Sequence, residues 1–160
     1  MKIRRAEQGF SLLELVIVMV IMGVISVVVS RILFQSFKTF IVSQNVSDID
    51  WTGLLMVQTF TNDVHDIRSA NDVSTISAST FTFVNTAGTT VTYAFSGSTL
   101  TRNSRTLAAG LQSFSFGYRD VNYNTTATPA NVRYITLTST ITQNDLSLPF
   151  TTMAGTRGMR

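Results

Sequence analysis

The feature that most constrains this chain is an apolar run over residues 9–29, Gly-Phe-Ser-Leu-Leu-Glu-Leu-Val-Ile-Val-Met-Val-Ile-Met-Gly-Val-Ile-Ser-Val-Val-Val. As a helix, about 20 nearly unbroken apolar residues match the hydrocarbon core of a bilayer. The run holds one carboxylate, Glu14, and follows a short leader carrying Lys2, Arg4 and Arg5. A secretory signal sets its small-residue cleavage site after the apolar core. Here the small residue, Gly9, stands before it. A cut after Gly9 removes the charged leader and keeps the hydrophobic helix, which is not how an ordinary export signal works.

At these residues the chain resembles the type IV pilin superfamily, whose precursors carry a prepilin-peptidase site. Gly9 stands before the cut and Phe10 becomes the new N-terminal residue, followed by Ser11, Leu12, Leu13, Glu14 and Leu15. The glutamate is then fifth in the mature chain. The resemblance implies cleavage by prepilin peptidase and an N-methylated Phe10. It also implies partnership with other pilin or minor pilin subunits through the N-terminal helix.

The chemistry of Glu14 fits that expectation. A charged side chain inside a membrane segment costs up to about 3 kcal/mol on insertion scales, and less near the end of the segment, where it reaches the interface. Cleavage supplies a counter-charge, because an α-amino group with a reference pKa of about 8 is mostly cationic at neutral pH. Phe10 and Glu14 share a helix face, so the pair can close within one subunit. It can equally close between neighbours, the arrangement the family resemblance implies for assembly. The residues alone serve both.

Composition bounds the remainder. Removing nine residues from the 160-residue chain leaves 151, enough beyond the anchor for one small globular domain. The basic pI of about 9.7 reflects a net charge of +3. Losing Lys2, Arg4, Arg5 and Glu7 brings that to about +1, so the basic pI is no argument for nucleic acid. Cysteine is absent, which removes disulfides and thiolate metal sites. It also departs from the many major pilins that close a C-terminal loop with a disulfide. Lys2, Arg4 and Arg5 flank one end of the run, against Arg31 and Lys38 beyond the other. The positive-inside bias therefore keeps the leader cytoplasmic, in a single-pass inner-membrane protein whose C-terminal domain lies outside the cytoplasm. A filament or pilus tip is its place after assembly.

The pattern after the anchor predicts an α+β chain: a long N-terminal helix, membrane-spanning in its first half and amphipathic in its second, packed on a C-terminal antiparallel β-sheet. From Arg31 to Arg68 there is no proline, and Val57, Phe60, Val64 and Ile67 make a helical stripe. A continuous helix over residues 10–68 would reach roughly 90 Å. Gly53 and residues 47–52 are weaker helix material and mark a bend or break. Past Asn71 the period becomes two: Phe81 and Phe83, then Val91, Tyr93 and Phe95, then Phe114, Phe116 and Tyr118. Further strands are expected around Leu100, over residues 132–142 and over 146–150, with a polar loop over 119–129. One apolar face per strand suits a sheet covered on one side by a helix. The expected divisions are a leader at 1–9, a transmembrane and assembly helix at 10–34, an amphipathic helix at 35–70 and a sheet domain at 71–160.

Residues 60–70, with Asp66, Ile67, Arg68 and Ala70, resemble the helix end of J- or W-type minor pilins and pseudopilins. Major pilins often carry a helix-breaking proline near the end of the apolar run; here the prolines are Pro129 and Pro149. That difference favours a minor subunit over the main building block. No enzyme is expected: His65 is the sole histidine, and there is neither a G-x-S-x-G elbow nor a phosphate-binding glycine loop. His65 is rotated away from the Asp63 and Asp66 face, against a metal site. No cofactor or small-molecule substrate follows. Arg102, Arg105, Arg119 and Arg133 lie near Tyr118, Tyr123 and Tyr134 in the sequence, but scattered, so nucleic acid is an unlikely partner. The function expected is structural: priming or capping a type IV pilus or type II secretion pseudopilus. A major filament subunit, or a tip-located module for DNA uptake or adhesion, stands as the alternative.

Overall fold

The computed structural model describes residues 11–156. One helix, α1 (Leu12–His65), precedes eight strands and two single turns of 3-10 helix. The chain divides into two compact units, Met1–Ser43 and Gln44–Arg160.

In the first unit the described residues are Ser11 and the start of α1, and all of them are exposed. Leucine, valine, isoleucine and methionine cover its surface without interruption by charge from Leu15 to Ser30. The hydroxyls in this stretch turn back on the helix. Ser26 Oγ donates to the Met22 carbonyl at 2.7 Å and Ser30 Oγ to the Ser26 carbonyl at 2.8 Å. Ser36 and Thr39 do the same to Ile32 and Gln35. Internal satisfaction of every polar group is what a lipid-facing helix needs.

The second unit is the α+β domain. Its part of α1 buries Ile49, Gly53, Met56, Phe60 and Val64, positions three and four apart that form one stripe. The helix does not break at Gly53; it runs on to His65. Gly53 is there for contact: a Cβ built on it would come within 2.1 Å of Phe150 Cζ. The helix ends three residues before Arg68. Ile67 then forms a β-bridge with Asn85, and Arg68 donates to Asp72 through Nε and Nη2 at 3.0 and 2.6 Å.

The strands form two antiparallel sheets instead of one. β1 (Val73–Ile76), β2 (Thr80–Val84), β3 (Thr90–Ser96), β4 (Thr99–Arg102) and β5 (Arg105–Ala109) pair in chain order as a five-stranded meander. β6 (Leu111–Arg119), β7 (Tyr134–Gln143) and β8 (Leu146–Gly155) form a three-stranded one. Two backbone bonds join the sheets, from the Phe116 N–H to the Ala78 carbonyl and from the Leu111 N–H to that of Ser98. Asn103-Ser104 and Asn144-Asp145, all at positive φ, make the two-residue turns β4–β5 and β7–β8, the type that matches strand twist.

Inward side chains from both sheets close on the helix stripe. Phe60 sits between Phe116, stacked at 5.7 Å, and Tyr93, edge-on at 5.8 Å. Phe81 extends the cluster to Phe116 and Tyr118. Of the rings expected inside from their spacing, Phe60, Phe81, Phe83, Tyr93, Phe116 and Tyr118 are buried, whereas Phe95 and Phe114 are half-buried and stack on each other at 5.0 Å.

Candidate functional site

The N-terminal segment begins at Ser11, which stands just outside the first turn of α1. Its Oγ accepts the Glu14 backbone N–H at 3.2 Å. Ser-x-x-Glu before an apolar run is a capping pattern, in which the hydroxyl satisfies a first-turn donor. The pattern lies in plain sequence, yet the membrane run and cleavage site draw attention from it. Glu14 is exposed and occupies that first turn, where a negative charge complements the helix dipole. Gly9 and Phe10, the expected cleavage and methylation positions, lie outside the described residues.

In the folded domain a polar cluster was not anticipated from the sequence. Asp63 Oδ2 accepts from the Tyr93 hydroxyl and from Arg102 Nε, both at 2.5 Å, and its Oδ1 accepts from Arg102 Nη2 at 2.9 Å. The side-on geometry is the strong form of the arginine–carboxylate pair. It ties α1 to β3 and β4. Burial, reinforced by the bond to Asp63, pushes the Tyr93 phenol well above its ordinary pKa, and the same carboxylate raises Arg102. Every member of the cluster is held by another.

The remaining residues singled out from sequence are dispersed. Asp66 accepts from the Thr86 hydroxyl, and His65 is exposed at the helix end. Among the described residues no group of histidine and carboxylate is placed to hold a metal ion. Tyr118 is buried, its hydroxyl donating to the Ser77 carbonyl at 2.8 Å. Tyr123 and Tyr134 come together, ring centroids 4.4 Å apart. Arg102, the cross-strand partner of Arg105, is engaged with Asp63, and Arg119 donates to the Tyr123 carbonyl.

Residues 4–30 match the prokaryotic N-terminal methylation motif, the cleavage signal of type IV pilin-type prepilins. The match takes in Gly9, Phe10, Ser11 and Glu14 and ends within the exposed apolar part of α1. Comparison with curated proteins gives no match. The motif is that of structural subunits that assemble with one another after prepilin-peptidase processing. With a membrane-length helix that begins inside the match and runs on beyond it, it fits a single-pass, membrane-anchored chain.

Proposed function

We propose that this chain is a minor pilin or pseudopilin. Prepilin peptidase cuts it after Gly9 and methylates Phe10, and α1 then carries it into a short filament or a filament tip. There it primes or caps a type IV pilus or a type II secretion pseudopilus. The supporting observation is the methylation motif running into a helix whose first part has no cover of its own. The exposed apolar surface from Leu12 to Val42 extends about 46 Å as a helix, against about 30 Å of bilayer hydrocarbon. Phe34, Phe37, Phe40 and Ile41, all more than half exposed, therefore extend past what lipid can cover and call for other helices. The unbroken α1 sides with a minor subunit; a major filament subunit is the competing assignment, and copy number in sheared filaments separates the two. The leader stays in the cytoplasm and the domain faces out.

Intact-mass analysis of the protein from its native membrane tests the processing step. The expected chain starts at N-methyl-Phe10, and Gly9→Arg leaves the precursor uncut by placing a bulky charge beside the scissile bond. A chain beginning at Met1 in peptidase-positive cells would overturn the assignment.

A further inference from the structure

The three-stranded sheet ends in an open edge. Its order places β8 outermost, and β8 runs for 10 residues without one charged side chain. Gln143 and Leu146 close the two-residue turn, and hydrogen-bonded pairs alternate along the hairpin from there. Ser147, Pro149, Thr151, Met153 and Gly155 therefore turn their backbone groups away from β7. Pro149 fits this arrangement, since the donor it lacks would face outward. Among the described residues no backbone bond reaches these outward groups. The other edges are short or occupied. β1 and β5 are 4 and 5 residues long, and β6 donates to the carbonyls of Ala78 and Ser98. A long edge is ordinarily guarded by charge, a bulge or a cover; on β8 the only guard is Pro149.

The strand is complementary to itself. Asp145 precedes it and Arg157 follows it in the sequence. An antiparallel copy therefore brings unlike charges to each end, where a parallel copy would set like against like. Full overlap of two antiparallel copies centres on Thr151. It places Thr151 opposite Thr151, Pro149 opposite Met153 and Ser147 opposite Gly155, with no charge facing a charge. About eight backbone bonds then form, one donor per strand being absent at Pro149. A stable interface typically carries about ten direct hydrogen bonds. On the helix side Leu148 and Phe150, half-buried at the edge, come level with Ala154 and Thr152 of the other copy and are covered. We propose that β8 pairs with β8 of a second copy about a two-fold axis at Thr151, joining the two three-stranded sheets into one.

The inference is separate from cleavage and filament incorporation, and the full chain in detergent micelles tests it. The chain has no cysteine, so introduced thiols report the register. Across the axis the Cα atoms of two Thr151→Cys residues lie about 5.5 Å apart, whereas those of two Ser147→Cys residues stand about 27 Å apart. A short bismaleimide should join Thr151→Cys into dimers and leave Ser147→Cys unjoined, with unchanged circular dichroism in both. Association through α1 alone favours neither thiol, so equal yields would overturn the proposal, as would no dimer from Thr151→Cys. The double variant Pro149→Cys/Met153→Cys should cross-link as well. Adding Thr151→Lys should abolish that cross-link by setting two ammonium groups opposite each other, and its persistence would overturn the pairing. In native membranes, a Thr151→Cys adduct with a chain of another mass and no homodimer would overturn it in favour of a strand from a different subunit.

Discussion

Glu14 carries the proposed assembly chemistry, and its two roles separate cleanly. The cap at Ser11 uses the backbone N–H of Glu14, so replacing the side chain leaves it intact. Glu14→Leu should insert at least as well as the wild type, since an insertion penalty is removed. What should fail is incorporation into filaments, because a neighbour's Phe10 ammonium then enters an apolar bundle without its counter-charge. Truncating one partner of a buried pair typically costs about 3–5 kcal/mol. Counting processed Glu14→Leu subunits in sheared filaments checks this, and wild-type numbers there would sink the pairing. In the domain the telling residues are Tyr93 and Tyr118, both buried, with phenol pKa values raised chiefly by burial. Their folded-state pKa values exceed the unfolded one, so their contribution is complete below about pH 10 and is lost as pH rises above it. Urea titrations between pH 9 and 11 should show stability falling by up to about 1.4 kcal/mol per pH unit for each tyrosine. Tyr93→Phe should remove about half of that slope; an unchanged slope would mean other groups govern alkaline unfolding.

Between elements, the contact of α1 with β8 shows where sequence rules and packing part company. By propensity Gly53 weakens a helix by about 1 kcal/mol relative to alanine, and with Ser47 to Thr52 beside it a bend or break was expected. The helix stays whole because the missing Cβ lets the Phe150 ring lie against its backbone. Gly53→Ala should therefore destabilise by about 1–3 kcal/mol through overpacking, outweighing its helix-forming gain. In a Phe150→Ala background the same substitution should stabilise instead, and chemical denaturation of the four variants reads that reversal of sign. Legibility followed the strength of the local period. The stripe of Phe60, Val64 and Ile67 and the alternation of Phe81, Phe83, Val91 and Tyr93 were plain, as was the cleavage motif around Gly9 and Phe10. β1 and β5 were not: four or five residues rich in serine, threonine and alanine carry little apolar alternation. The Asn103-Ser104 turn that announces β5 also lacks the glycine that usually flags such turns. The division into two sheets and the Asp63–Tyr93–Arg102 cluster depend on partners 30 and 39 residues apart, which no local pattern encodes.

At the scale of the whole molecule, two units of opposite character share one helix. The first has no core among its described residues and must be covered from outside, by lipid or by other subunits. The second has its own core, in which α1 supplies the stripe and both sheets supply aromatic rings. It follows that Gln44–Arg160 should fold without detergent, with mixed helix and strand by circular dichroism and a single cooperative transition, while the full chain needs a membrane or micelle. A domain of this size is stable by about 5–15 kcal/mol, so its core can be tested one ring at a time. Phe60 comes from the helix and Phe116 from the three-stranded sheet, and they stack at 5.7 Å. Phe60→Ala and Phe116→Ala should each cost about 3–5 kcal/mol, enough to bring the domain near unfolding. Because the rings touch, the double variant should lose less than the sum of the two, by about 0.5–3 kcal/mol. A strict sum would mean that helix and sheet are stabilised independently. Losses below about 1 kcal/mol at both positions would place the core elsewhere. The same substitutions in the full chain should leave membrane insertion unchanged, because the apolar surface from Leu12 to Val42 draws nothing from these rings. Loss of insertion in either variant would show that the two units do not act separately.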